Sequence, residues 1–141
     1  MTDILLSNEN MQYINMAGKI TKADILDCVI TEDKLIFIVH QGQLGVAIGT
    51  KAKNLEKLRT LFKKGIKFIE YSNDKENFIK NLCKPYNVKN ITLEGEGENI
   101  VAKVEVDFAD KSKIIGKAGK NIEIIRQLAQ RHHNLKDVQI K

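Results

Sequence analysis

Apolar and polar positions run along this chain in two rhythms, one of period near 3.6 and one of period 2, and the sequence of rhythms is gone through twice. Residues 8–17 read as a short helix with Asn8 as its cap. Ile25–Ile30 and Lys34–His40 are β-rich runs split by Thr31-Glu32-Asp33, which predicts a hairpin. Leu35–Val39 is apolar throughout and predicts a strand that is covered on both faces or central in its sheet. Gln41–Ile48 predicts a short helix or turn. A helix follows with Leu55, Leu58, Leu61 and Phe62 on its apolar face, and Ile66–Tyr71 predicts a strand.

The second half repeats the order. Asn77–Cys83 predicts a helix stopped by Pro85, Val88–Leu93 a strand, and Glu94-Gly95-Glu96-Gly97-Glu98 a turn. Val101–Phe108 alternates, with Val104, Val106 and Phe108 on one face and Lys103, Glu105 and Asp107 on the other. Asp110 is the expected cap of a helix over Lys111–Ile115. A further helix has Ile122, Ile125, Leu128 and Ala129 on its apolar face, and Val138–Ile140 closes the chain as a strand. Ser72–Lys75 is the expected boundary, giving domains 1–72 and 73–141. Each half is then an α+β unit, a small three-stranded sheet with helices on one face.

The strongest signal is a repeat. Ile48-Gly49-Thr50-Lys51-Ala52-Lys53-Asn54-Leu55 returns 67 residues later as Ile115-Gly116-Lys117-Ala118-Gly119-Lys120-Asn121-Ile122, and the register continues through Glu56 and Glu123, Leu58 and Ile125, and Arg59 and Arg126. A duplicated domain follows. A glycine in a tight connection reaches backbone angles closed to other residues and lets another backbone approach. Amides at the start of the following helix lack an intrahelical partner, and the helix dipole favours anions there. With lysines in and just after the turn, each copy is a candidate phosphate clamp.

Composition sharpens this picture. The 141 residues, 43% of them hydrophobic, suffice for two small cores. The net charge is +5 and the pI near 9.1, but the charge is placed: residues 51–67 hold seven bases against Glu56, and residues 111–131 hold six against Glu123. Met1–Leu6 lacks a basic start with a long apolar run, and no segment is apolar over a membrane-spanning length, so a cytoplasmic protein without a membrane partner is expected. Cys28 and Cys83 lack paired spacing and read as buried thiols. His132-His133 has no nearby Cys or carboxylate pair to complete a metal site and reads as helix-end polarity. Tyr13, Tyr71 and Tyr86 read as packing residues. No nucleophile triad, metal motif or nucleotide-binding phosphate loop is present, so neither an enzyme nor a cofactor is expected, and no catalytic residue is assigned.

The Ile115-Gly116-Lys117-Ala118-Gly119 turn followed by a basic helix resembles the signature of the KH domain, and the element order resembles its prokaryotic type (type II). The pair of domains resembles the archaeal NusA family of transcription elongation and termination factors, in Gly45-Val46-Ala47-Ile48-Gly49, Ile69-Glu70-Tyr71-Ser72 and Arg126-Gln127-Leu128-Ala129-Gln130-Arg131-His132. The resemblance implies that the Gly-x-x-Gly loop clamps the backbone of unpaired nucleotides beside a hydrophobic groove. RNA-binding residues carried over are Gly49, Thr50, Lys51, Ala52 and Lys53 in the first copy, and Gly116, Lys117, Ala118, Gly119 and Lys120 in the second. Ile48, Ile115, Arg59 and Arg126 would border the groove. The first loop departs from the pattern, with Ala52 in place of the second glycine, and is expected to be the weaker clamp; right-handed helical angles at Ala52 would remove the strain. Bacterial relatives carry a polymerase-binding domain and an oligonucleotide-binding barrel ahead of the pair, for which 141 residues leave no room. The resemblance implies a monomer whose partners are single-stranded RNA and RNA polymerase or other transcription factors. Two other readings stay open: a KH-pair factor in ribosome assembly or other RNA processing, and a protein-docking module with an acidic partner.

Overall fold

The computed structural model describes residues 7–141; the reading of Met1–Leu6 lies outside them. The chain divides into two compact units, with the division between Ser72 and Asn73. The first runs α1 (Asn8–Thr21), β1 (Ile25–Ile30), β2 (Lys34–Val39), α2 (Leu44–Ile48), α3 (Lys53–Phe62) and β3 (Gly65–Glu70). The second runs α4 (Lys75–Cys83), β4 (Val88–Glu94), β5 (Val101–Val106), α5 (Phe108–Ile115), α6 (Lys120–His133) and β6 (Asp137–Ile140).

Each unit holds a three-stranded sheet in which the first two strands form an antiparallel hairpin and the third joins in parallel, in the orders β1-β2-β3 and β4-β5-β6. The parallel step requires a crossover, and the pair of helices around the Gly loop supplies it. The register slips at the same place in both hairpins, after Ile25 and after Val88. β2 is central, and every residue from Leu35 to Val39 is buried, as its unbroken apolar run predicts. Ala17, Cys28, Leu35, Phe37, Leu58 and Ile66 form the core of the first unit, with Tyr13 edge-on to Phe62 at 5.0 Å between ring centroids. In the second unit Ile122, Ile125, Leu128 and Ala129 are buried along α6, as the periodicity predicts.

Several boundaries differ from the sequence reading, each for a local reason. α1 is capped by Ser7, whose hydroxyl accepts from the Asn10 amide, rather than by Asn8, and it runs on to Thr21. Asp74 does the same for α4 through the Asn77 amide at 3.0 Å, so two residues expected in the linker belong to that helix start. Leu61 is 48% exposed and falls outside the apolar face of α3, which Leu55, Leu58 and Phe62 make up. β5 stops at Val106. Phe108 begins α5 and is 93% exposed, so the alternation that grouped it with Val104 and Val106 ends two residues early. Asp107, not Asp110, occupies the cap position, and its carboxylate turns to Lys89 at 2.9 Å instead of capping.

The 67-residue offset holds from β2 and β5 through the Gly loops to the starts of α3 and α6. Outside that stretch the units diverge. α4 is five residues shorter than α1, and α6 is four residues longer than α3. The additional turn of α6 brings His132 and His133 onto Phe78, at ring-centroid distances of 5.6 and 5.2 Å. Phe78 is fully buried, while Met11 at the matching place in α1 is 42% exposed.

Candidate nucleic-acid interface

The two Gly loops have nearly the same backbone. Gly49 (φ 81°, ψ 167°) and Gly116 (φ 82°, ψ 171°) end α2 and α5 in a conformation essentially reserved for glycine. Lys51 (φ 55°) and Ala118 (φ 56°) are left-handed, and so are the next residues, Ala52 (φ 60°, ψ 28°) and Gly119 (φ 73°, ψ 13°). Ala52 is therefore not right-handed helical: it takes up the strained left-handed angles that its counterpart glycine adopts freely.

The glycines in each loop are needed for different reasons. A Cβ on Gly49 would sit 2.9 Å from Asn54 Nδ2, and one on Gly116 would sit 2.7 Å from Asn121 Cβ. The first glycine is thus fixed by both angle and space. At Gly119 the nearest side-chain atom to an added Cβ is 4.0 Å away, so only the angle asks for glycine, and Ala52 shows that alanine fits the space.

Asn54 and Asn121, quoted in the repeat but given no role by sequence reasoning, close the loops. Asn54 Nδ2 donates to the Val46 carbonyl at 3.1 Å, and Asn121 Nδ2 donates to the Ile114 carbonyl at 2.7 Å. Each asparagine reaches from the start of one helix back to the end of the previous one, satisfying a carbonyl left over there. Their recurrence at the 67-residue spacing was the signal that marks them.

The first amide of each following helix, and that of the residue before it, is occupied. Ala52 and Gly119 donate to the Gly49 and Gly116 carbonyls at 3.1 Å, and Lys53 and Lys120 donate to Thr50 and Lys117. Both loops are closed by one tight turn. Among the described residues, no main-chain carbonyl takes the amides of Thr50, Lys51, Lys117 or Ala118. Successive amides in such turns form anion-binding concavities.

Lys51, Lys53, Lys117 and Lys120 are all exposed, and none lies within ion-pair distance of an acid among the described residues. Ile48 and Ile115 are half-buried immediately before the loops. The two arginines behave differently. Arg59 pairs with Glu56 at 2.7 Å on the exposed face of α3. Arg126 pairs with Glu123 at 2.6 Å, and its Nε donates to Asp137 at 2.8 Å and to the Val138 carbonyl at 3.1 Å, tying α6 to β6. Among the described residues there is no grouping of three or more His, Cys, Asp or Glu able to hold a metal, and no helix is long and apolar enough to cross a membrane.

Comparison with known proteins agrees with this architecture. Residues 12–94 match the KH domain family, through the first unit and on into α4 and β4, and residues 75–141 match the NusA-like second KH domain. The "Probable transcription termination protein NusA" of Halobacterium salinarum is 33% identical over 97% of this chain and 98% of its own length. Proteins of the same name from Methanococcus vannielii and Methanocaldococcus jannaschii are 32% and 29% identical, over 97% and 99% of this chain and 79% and 76% of theirs. The crystal structure of APE1850 superposes with a TM-score of 0.78 at 30% identity, over 96% of this chain and all of the other. A duplicated KH unit that aligns with these relatives over nearly all of its own length places the chain in the archaeal NusA-like family.

Proposed function

We propose that this chain binds single-stranded, nascent RNA across its two Gly loops and thereby modulates transcription elongation and termination. The observation that carries the reading is the duplicated loop backbone with four exposed lysines around it, none in an ion pair among the described residues. Lys51, Lys53, Lys117 and Lys120 neutralise phosphates, and the amides of Thr50, Lys51, Lys117 and Ala118 fix the path of the strand. Bases lie against Ile48 and Ile115, with Arg59 and Arg126 bordering the groove. The role in transcription rests on the name shared by the archaeal relatives, and RNA polymerase is the partner that this role requires. The first loop is the weaker clamp, because the Ala52 methyl stands where Gly119 leaves the strand free to approach.

The test is fluorescence anisotropy with short single-stranded RNA, matched DNA and duplex RNA, on the parent and on the double variant Lys117→Asp with Ala118→Asp. Aspartate tolerates the left-handed angles at position 118, so the fold is kept. Binding of single strands by the parent and its loss in the folded variant is the expected result. Equal binding by both, or by neither, overturns the clamp. Co-purification then separates the transcription role, with polymerase subunits recovered, from ribosome assembly, with ribosomal RNA and proteins recovered.

A further inference from the structure

Phe108 is 93% exposed, far more than Val46 at 51% or any other large apolar side chain among the described residues. It has no counterpart in the first unit, where Gln41 stands at the matching place and α2 begins three residues later in the repeat than α5. The exposed ring therefore belongs to the unit whose loop keeps both glycines.

Helical spacing puts Phe108, Lys111, Ser112 and Ile115 on one stripe of α5, at i, i+3, i+4 and i+7. That stripe is open: Ser112 is exposed, and Lys111 and Ile115 are half-buried, while Ile114 beside them faces the core. It ends at Ile115, against Gly116, and at 1.5 Å per residue the Phe108 backbone lies roughly 10 Å along the helix from there. Asp107 at the ring's foot is engaged by Lys89 at 2.9 Å, and no acid pairs with Lys111 among the described residues. An aromatic ring, a cation and an apolar edge thus lead in line to the Gly loop.

We propose that Phe108 is a stacking platform for a base of single-stranded RNA beyond those held at the second loop, with Lys111 on the intervening phosphate. The proposal rests on the RNA-binding reading above and extends its site along α5. Every base presents a π face, so such a contact adds affinity without demanding a sequence. A lone ring flanked by Lys111 and Ser112 fits a base better than an apolar protein patch, which would be contiguous.

The chain contains no tryptophan, so Phe108→Trp introduces a single indole, which can be excited apart from the tyrosines. Anisotropy with single-stranded RNA of about four and about ten nucleotides is read on the parent, Phe108→Ala, Phe108→Trp and the Lys117→Asp, Ala118→Asp double variant. Phe108→Ala is expected to weaken binding of the longer strand by about 5- to 100-fold, with little change in the shorter one or in the salt slope. Phe108→Trp is expected to bind like the parent and to lose emission when the longer strand is added. If the parent binds RNA while Phe108→Ala matches it and Phe108→Trp emission stays constant, the platform is wrong and the clamp survives. If the parent itself binds no RNA, both fail. If the emission responds to purified RNA polymerase and not to RNA, the ring is a protein contact and the stacking proposal falls.

Discussion

Asn121 lies so close to Gly116 that a methyl group on the glycine would come within 2.7 Å of the asparagine Cβ, while its amide holds the Ile114 carbonyl at the same distance. The close approach leaves no room for a side chain at the glycine, and the hydrogen bond ties the start of α6 to the end of α5. Gly116→Ala combines a glycine-only backbone with that clash and should cost the second unit about 2–4 kcal/mol. Gly119→Ala, with open space and only a left-handed φ to oppose it, should cost about 1 kcal/mol. Urea unfolding of the two variants checks the ranking, and equal costs would show that the close approach is unimportant.

Ala52→Gly is the mirror experiment. The left-handed angles of Ala52 cost roughly 1–2 kcal/mol, partly offset by the freedom glycine adds to the unfolded chain, so a net gain of about 0.5–1 kcal/mol is expected. RNA affinity should rise as well, since the methyl group goes. A thermal melt and an RNA titration on the same sample separate the two effects; unchanged or weaker affinity counts against the first loop as a hindered clamp.

Arg126 and Arg59 occupy matching places in the repeat but should respond unequally. Arg126→Ala removes the tie from α6 to Asp137 and the Val138 carbonyl and should cost about 1–2 kcal/mol, given that the pairs are partly exposed. Arg59→Ala loses one exposed pair with Glu56 and should stay within about 0.5 kcal/mol. Denaturant midpoints of the two variants decide this, and they are needed before any loss of RNA binding by Arg126→Ala is read as a lost contact.

Four exposed lysines at the loops set an electrostatic scale. With each neutralised phosphate on a single strand contributing about 0.7, the logarithm of RNA affinity should fall with the logarithm of salt at a slope of about −3. Titrations over several salt concentrations measure it. A flat profile would exclude the lysines from phosphate contact.

The hairpin in the second unit should show its charge pairing in acid. The Lys103 ammonium at 2.7 Å holds the Glu94 carboxyl below its ordinary value, and Glu94 in turn raises Lys103, just as Asp107 raises Lys89. A depressed folded-state carboxylate contributes stability above its unfolded pKa and loses it as pH falls through the folded one; raised lysines contribute below their unfolded pKa and lose it as pH rises through the folded one. NMR titration of Glu94 should give a midpoint below that of an unpaired glutamate, and Lys103→Met should return it to the ordinary value.

The Gly loops, their helices and the hairpins could be read from the sequence because each rests on a local pattern: Leu35–Val39 as an apolar run, Ile122 to Ala129 at helical spacing, Gly49 and Gly116 in one register. Phe108 could not. Period 2 carries it with Val104 and Val106, and only the turn of the chain at Asp107 takes it out of the strand. Leu61 satisfied the helical spacing yet lies off the buried arc, which one α3 of ten residues makes narrow. The angles of Ala52 were also beyond local reading, since alanine prefers the right-handed helix that begins one residue later and the loop closure overrides that preference.

Residues 34–62 and 101–129 keep one spacing throughout, while every insertion and deletion between the units falls before or after them. The chain thus contains the same interchangeable part installed twice, with ports at the first strand residue and in the helix that follows the loop. Exchanging the two segments should move the intact Gly-x-x-Gly turn into the first position without re-engineering either frame. Which of the two units carries the tighter turn then becomes something that can be chosen.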